Sequence, residues 1–111
     1  MADDAFYIAP SALYLKKKMV IGLLSLRFHI PESRSLKGKR KVLLSLKTRI
    51  RQRFNVSVSE VDDQDKWQAA TLAVAGVGTD QPGVNRMLDK VVELVRREPE
   101  MEIVESRLEF F

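Results

Sequence analysis

One stretch restricts the fold of this chain more than any other: Ser33 to Phe54, SRSLKGKRKVLLSLKTRIRQRF. Leu36, Leu43, Leu46, Ile50 and Phe54 recur at intervals that gather them on one side of a 3.6-residue helix. Val42 and Leu44 widen that stripe on its two flanks. An apolar stripe of this kind has to be covered by another element. Ser35 is placed to cap the N-terminus with its hydroxyl. Gly38 is a poor interior residue and predicts an irregular first turn. Asn55, which tolerates a left-handed backbone, is the expected stop.

The same stretch holds nine of the nineteen Lys and Arg residues of the chain and no Asp or Glu. Lys37, Arg40, Lys41, Lys47 and Arg51 fall along one flank of the helix, Arg49 and Arg53 along the other. Arg34 precedes the helix, and Lys39 lies near the apolar edge. A solvated helix face, whose long stems cover apolar surface, accounts for scattered cations. Such faces usually mix signs and form i,i+4 pairs. Here no acidic partner exists within the helix, and neighbouring like charges repel. The expectation is therefore an anionic partner.

The flanking segments supply what covers the stripe. Met19 to Ile30 reads as a strand, with Val20, Leu24, Leu26, Phe28 and Ile30 on one face. Its other face starts apolar and becomes polar at Ser25, Arg27 and His29, the profile of a central strand, and Pro31 ends it. After the helix, Val56 to Val61 and Gln68 to Val77 read as a hairpin joined by the polar Asp62-Asp63-Gln64-Asp65 turn. Asp80 and Pro82 then open a second helix, with Val84, Met87, Leu88, Val91 and Val95 on its core face, ended by Pro99. Met101 to Phe110 closes the chain as an edge strand, with Val104, Leu108 and Phe110 on one side and Glu105, Arg107 and Glu109 on the other. The order β-α-β-β-α-β, with right-handed crossovers, predicts an α+β ferredoxin-like βαββαβ sandwich: a four-stranded antiparallel sheet with two helices on one face. Residues 1–18 read as an N-terminal extension, a flexible arm, and 19–111 as a single domain.

Catalytic and metal motifs find little support. The chain has no cysteine, which excludes disulfides, thiolate metal sites and thiol nucleophiles, and suits a cytoplasmic location. His29 stands alone, with no second His to build a zinc site. Glu60, Asp62, Asp63 and Asp65 lack calcium-loop spacing and read as a polar hairpin. Gly76-Val77-Gly78 lies between strand and helix but lacks the rest of a phosphate loop. No apolar run reaches the roughly 20 residues of a membrane helix. The expectation is no enzyme, no metal, no cofactor and no membrane. The exposed sheet face would show Arg27, His29, Thr71, Ala73 and Ala75, without the aromatics on which RNA-recognition modules stack bases. That face suits a homodimer or another protein. Phosphates would instead meet Arg34, Lys37, Arg40, Lys41, Lys47, Arg49, Arg51 and Arg53.

Three segments carry a family resemblance: Ser35 to Val42 (SLKGKRKV), Arg51 to Val58 (RQRFNVSV) and Asp65 to Gln68 (DKWQ), followed by the Ala-rich strand. Together they resemble the YlxP-like bacterial proteins, domain-of-unknown-function family 503, over about Met19 to Phe111. The resemblance implies a ferredoxin-like fold. Its gene context, among genes for translation initiation and ribosome maturation, implies association with RNA or the ribosome. It implies no catalytic residues.

Overall fold

The computed structural model describes residues 18–111; apart from Lys18, the predicted N-terminal extension lies outside the described residues. Six elements follow in order: β1 (Val20–His29), α1 (Leu36–Arg53), β2 (Ser57–Asp62), β3 (Ala69–Gly78), α2 (Gln81–Arg96) and β4 (Glu102–Phe110). The sheet order is β2-β3-β1-β4, with every neighbouring pair antiparallel. This is the βαββαβ arrangement that the periodicities predict. The two strands apolar on both faces for part of their length, β1 and β3, are indeed central.

Among the described residues, one face of the sheet is covered and the other is open. Leu24, Leu26 and Phe28 of β1 and Ala70, Leu72 and Val74 of β3 form the buried floor. Leu43, Leu46 and Ile50 of α1 and Val84, Leu88, Val91 and Val95 of α2 close over it. Each fully buried Leu or Phe contributes about 2 kcal/mol of apolar transfer free energy. The close seating of α2 depends on glycine. Gly22 and Gly76 are cross-strand partners. A Cβ on Gly22 would come within 2.6 Å of Val84 Cγ1 and 2.7 Å of Leu88 Cδ1. Gly76, in the strand-end run Gly76-Val77-Gly78, likewise serves helix–sheet packing, since a Cβ there would meet Met87 Cε and Leu88 Cδ2.

Three local expectations are corrected. Helix α1 ends at Arg53 with Phe54 as an extended C-cap whose N–H bonds Ile50 O; Asn55 has no left-handed backbone. Leu44 is 60% exposed and does not widen the stripe. It lies well round the helix from the Leu43–Leu46–Ile50 line, where only a broader covering layer would reach it. In β4 a bulge opposite Arg27 and Phe28 shifts the alternation. Val104 becomes exposed, and Ile103 packs against the core in its place. Ser35 does cap α1, its Oγ accepting from Gly38 N at 3.0 Å, and Asp80 caps α2 in the same way.

Candidate nucleic-acid interface

The orientation of the basic helix is set by a lysine that is not part of the basic surface. Lys39, expected near the apolar edge, lies at the centre of the buried face of α1 with 0% exposure. Its ammonium donates to the backbone carbonyls of Asp63 at 2.7 Å, Ala69 at 3.1 Å and Gln64 at 3.4 Å. Those three bonds use all three N–H groups. Glu60, facing inward from β2, brings Oε2 to 3.1 Å from Nζ as a counter-ion, yet that oxygen lies out of line for a hydrogen bond. The pairing is ionic, while the directional bonds go to the backbone.

The carbonyl of Ala69 belongs to the first residue of β3, and those of Asp63 and Gln64 to the turn between β2 and β3. Asp63 starts it in the left-handed region, at φ 64°, and its carbonyl also accepts from Lys66 N at 3.0 Å. Asp and Asn tolerate this conformation better than most residues. The Asp63 carboxylate is buried and surrounded by donors. Thr71 Oγ1 donates to it at 2.7 Å, Lys66 Nζ lies at 3.0 Å and Arg27 Nε donates at 3.2 Å. The Thr71 bond, then Lys66 and Arg27, hold its pKa down to about 2 against a burial effect that pushes upward. The acidic cluster of the sequence is therefore divided by its environment. Glu60 faces Lys39 beneath the sheet, Asp63 is saturated on the other side, and Asp62 and Asp65 are exposed. Among the described residues, no three ligating side chains are grouped to hold a metal ion.

The eight cations proposed for phosphate contact are not equivalent. Arg49 pairs with Glu98, just beyond α2, and its Nε also reaches Ser45 O at 3.4 Å. Arg51 donates from Nη2 to Val58 O at 2.7 Å, so the flank it shares with Arg40 and Lys47 overhangs β2. Lys37 and Lys41, one turn apart, point away from the sheet. Among the described residues, Arg34, Lys37, Arg40, Lys41, Lys47 and Arg53 have no carboxylate within the 4.0 Å ion-pair limit. A groove of about 460 Å³ opens beside the first turn of α1, and Arg34 and Lys41 share its lining with Glu32 and Glu100. Its mixed signs make it a weaker anion site than the outer face of the helix. On the open sheet face, His29 Nδ1 is 3.4 Å from Glu102 Oε1, with both groups in contact with solvent.

Sequence reasoning missed the Lys39 anchor, although the signal was present. Position 39 precedes Leu43 by one turn, and Glu60 alternates with the core residue Val58. Two opposite charges on inward-facing positions of adjacent elements mark a buried pair.

Two predictions follow from this geometry. Lys39→Met leaves three carbonyls and the Glu60 carboxylate without their cation, and should lower unfolding free energy by about 3–5 kcal/mol in urea titration. Adding Glu60→Gln should recover part of the loss by removing the stranded charge. For Asp63, the folded pKa lies below the unfolded value of 3.8. Its contribution is therefore fully present above about pH 4 and lost as pH falls towards about 2. At on the order of 1–2 kcal/mol after allowance for nearby solvent, it should steepen the acid limb of the stability curve. Asp63→Asn, which keeps the left-handed backbone accessible, should flatten that limb.

Comparison with known proteins places this architecture. Residues 21–108 match the family described as "Protein of unknown function (DUF503)". The uncharacterised protein YlxP of Bacillus subtilis (strain 168) is 35% identical over 92 residues, which cover 83% of this chain and all of that protein. Among solved structures, the de novo designed protein Foldit4 aligns with a TM-score of 0.49 at 13% identity, covering 82% of this chain and 96% of its own. A variant of SnoaB, a cofactor-independent oxygenase from Streptomyces nogalater, aligns with a TM-score of 0.46 at 13% identity, covering 83% and 90%. By the match over most of its length and its identity to YlxP, the chain belongs to the DUF503 family.

Proposed function

We propose that this chain is a non-enzymatic, cytoplasmic RNA-binding protein, free or on the ribosome, that uses the outer face of α1 to contact phosphates. The observation that carries this reading is the single sign of α1. Helix α2 provides the internal comparison: Arg86 and Lys90 alternate there with Asp89 and Glu93, as on an ordinary solvated helix. Helix α1 has no acidic residue between its caps. Six of its cations, counting Arg34 before it, lie unpaired among the described residues. Crowding them costs self-repulsion that no carboxylate among the described residues relieves, whereas a polyanion releases counterions on docking there.

Filter binding of oligoribonucleotides over a salt series tests this. If about five phosphates of a single strand are engaged, log affinity should fall against log salt with a slope of roughly −3 to −4. The double change Arg40→Glu with Lys47→Glu should weaken binding at least about tenfold and flatten the slope, with thermal unfolding little changed because both side chains lack partners. Arg86→Glu on α2 serves as the control and should have little effect. Affinity indifferent to salt and to both α1 substitutions refutes the reading.

A second reading, a homodimer through the open sheet face, has its own observation. Ile21 lies between Val77 and Phe111, and Leu23 beside Ala75, so one end of that face is an apolar row. Val77 is 65% and Phe111 54% exposed. Contiguous apolar surface of this kind marks contact sites more often than scattered residues do. Light scattering over a dilution series should show a dimer that Val77→Lys dissociates; a monomer throughout removes this reading.

A further inference from the structure

We infer that Trp67 is a base-stacking platform for single-stranded RNA whose phosphates lie along α1, an inference that rests on the RNA reading of that helix. Trp67 is the sole tryptophan of the chain, and it is 56% exposed. Its setting separates it from an ordinary exposed apolar residue, because the backbone around it is fastened on both sides. On one side, Lys66 closes the turn with Asp63 through both its N–H and its ammonium. On the other, Gln68 donates from Nε2 to Pro31 O at 3.0 Å and Ser33 O at 3.2 Å, and its carbonyl accepts from Ile30 N at 2.9 Å. Lys39 ties the same loop to α1 from beneath.

An indole serving only the core would be turned under the hairpin, towards Lys39 and Val58. Here a rigid loop holds it out in solvent. The anchors also fix what lies next to it. Gln68 grips the loop residue just before Arg34, and Lys39 is followed by Arg40, so the loop bearing the indole is clamped to the cationic end of α1. An aromatic ring on a loop fastened to a helix of exposed cations supplies the two parts that sequence-tolerant recognition of single strands uses: the cations follow the backbone while a base stacks on the ring. A duplex, its bases already stacked, has none to offer. Asp65 is the exposed carboxylate within the loop, so the strand would leave the indole on the α1 side, away from it.

The lone tryptophan makes the test direct. Oligouridylate titrated into the full chain at low salt should quench Trp67 fluorescence in step with binding. Heparin, a polyanion without bases, should bind without quenching. Trp67→Ala should lower oligouridylate affinity by roughly 5- to 150-fold, the range of one base–aromatic stack, and leave heparin affinity unchanged. Trp67→Phe should retain most of the affinity. Should oligouridylate bind with the expected salt dependence while the indole stays unquenched and Trp67→Ala binds as the parent does, the platform is refuted and the α1 reading stands. If oligouridylate does not bind at all, both fall. The fluorescence arm uses the unsubstituted chain, so it decides the matter even if the alanine variant is unstable.

Discussion

The bond set around the Lys39 ammonium constrains the rest of the structure. Removing a lysine charge from water costs several kcal/mol, and the cost is offset only where good geometry surrounds the ion. The turn between β2 and β3 supplies that geometry with two carbonyls, the start of β3 adds a third at Ala69, and Glu60 supplies the counter-charge. The exchange is mutual. A turn that opens with a left-handed Asp63 leaves carbonyls without strand partners, and buried carbonyls must be paired somewhere. One side chain from α1 satisfies them. The helix and the hairpin are therefore positioned by each other.

This constraint sets the direction in which the cations face. Lys39, Leu43, Leu46 and Ile50 define one line along α1. With that line held against the sheet, Arg40, Lys47 and Arg51 must overhang β2, and Lys37 and Lys41 must face outward. Rotating the helix to hide them would expose the ammonium's partners. Helix α2 is seated differently, by shape. Its Val84 and Leu88 rest over the paired glycines Gly22 and Gly76, and its charges are mixed. The two helices therefore cover the same sheet for different physical reasons, and only α1 presents a surface of one sign.

Much of the architecture was legible because it depends on periodicity. The apolar alternation of Val20 to Phe28, the helical spacing of Leu43, Leu46 and Ile50, and the turn chemistry at Asp80-Gln81-Pro82 each specify an element without tertiary information. The misreadings arise where a neighbour overrides a local rule. Asn55 is a good left-handed stop, but an extended Phe54 already carries the chain into β2. Val104 has the right parity for the core until a bulge against β1 moves Ile103 into that place. Lys39 is the most instructive, since lysine is almost never fully buried and its three carbonyl partners come from a turn and a strand start 24, 25 and 30 residues away. Of the candidate interface, the cluster of cations was visible in the sequence. Their division was not, because Glu98 and Val58 reach Arg49 and Arg51 only through the packing of α2 and β2.

That division bears on why α1 keeps its charges. If cationic stems were needed only to cover apolar surface, pairing them as Arg49 is paired would cost nothing, and α2 shows that this fold accommodates acidic residues on a helix face. The paired and tethered arginines, Arg49 and Arg51, are those whose partners come from neighbouring elements. Among the described residues, the remaining surface cations have no carboxylate at ion-pair distance. Solvent screens them at a separation beyond about 8 Å at physiological salt, but Lys37 and Lys41, one turn apart on the same surface, are separated by only about 6 Å along the axis. A stability argument alone therefore predicts a glutamate somewhere in Leu36–Arg53, and none is there. On the RNA reading proposed above, a polyanion docked along several helical turns would compensate that repulsion.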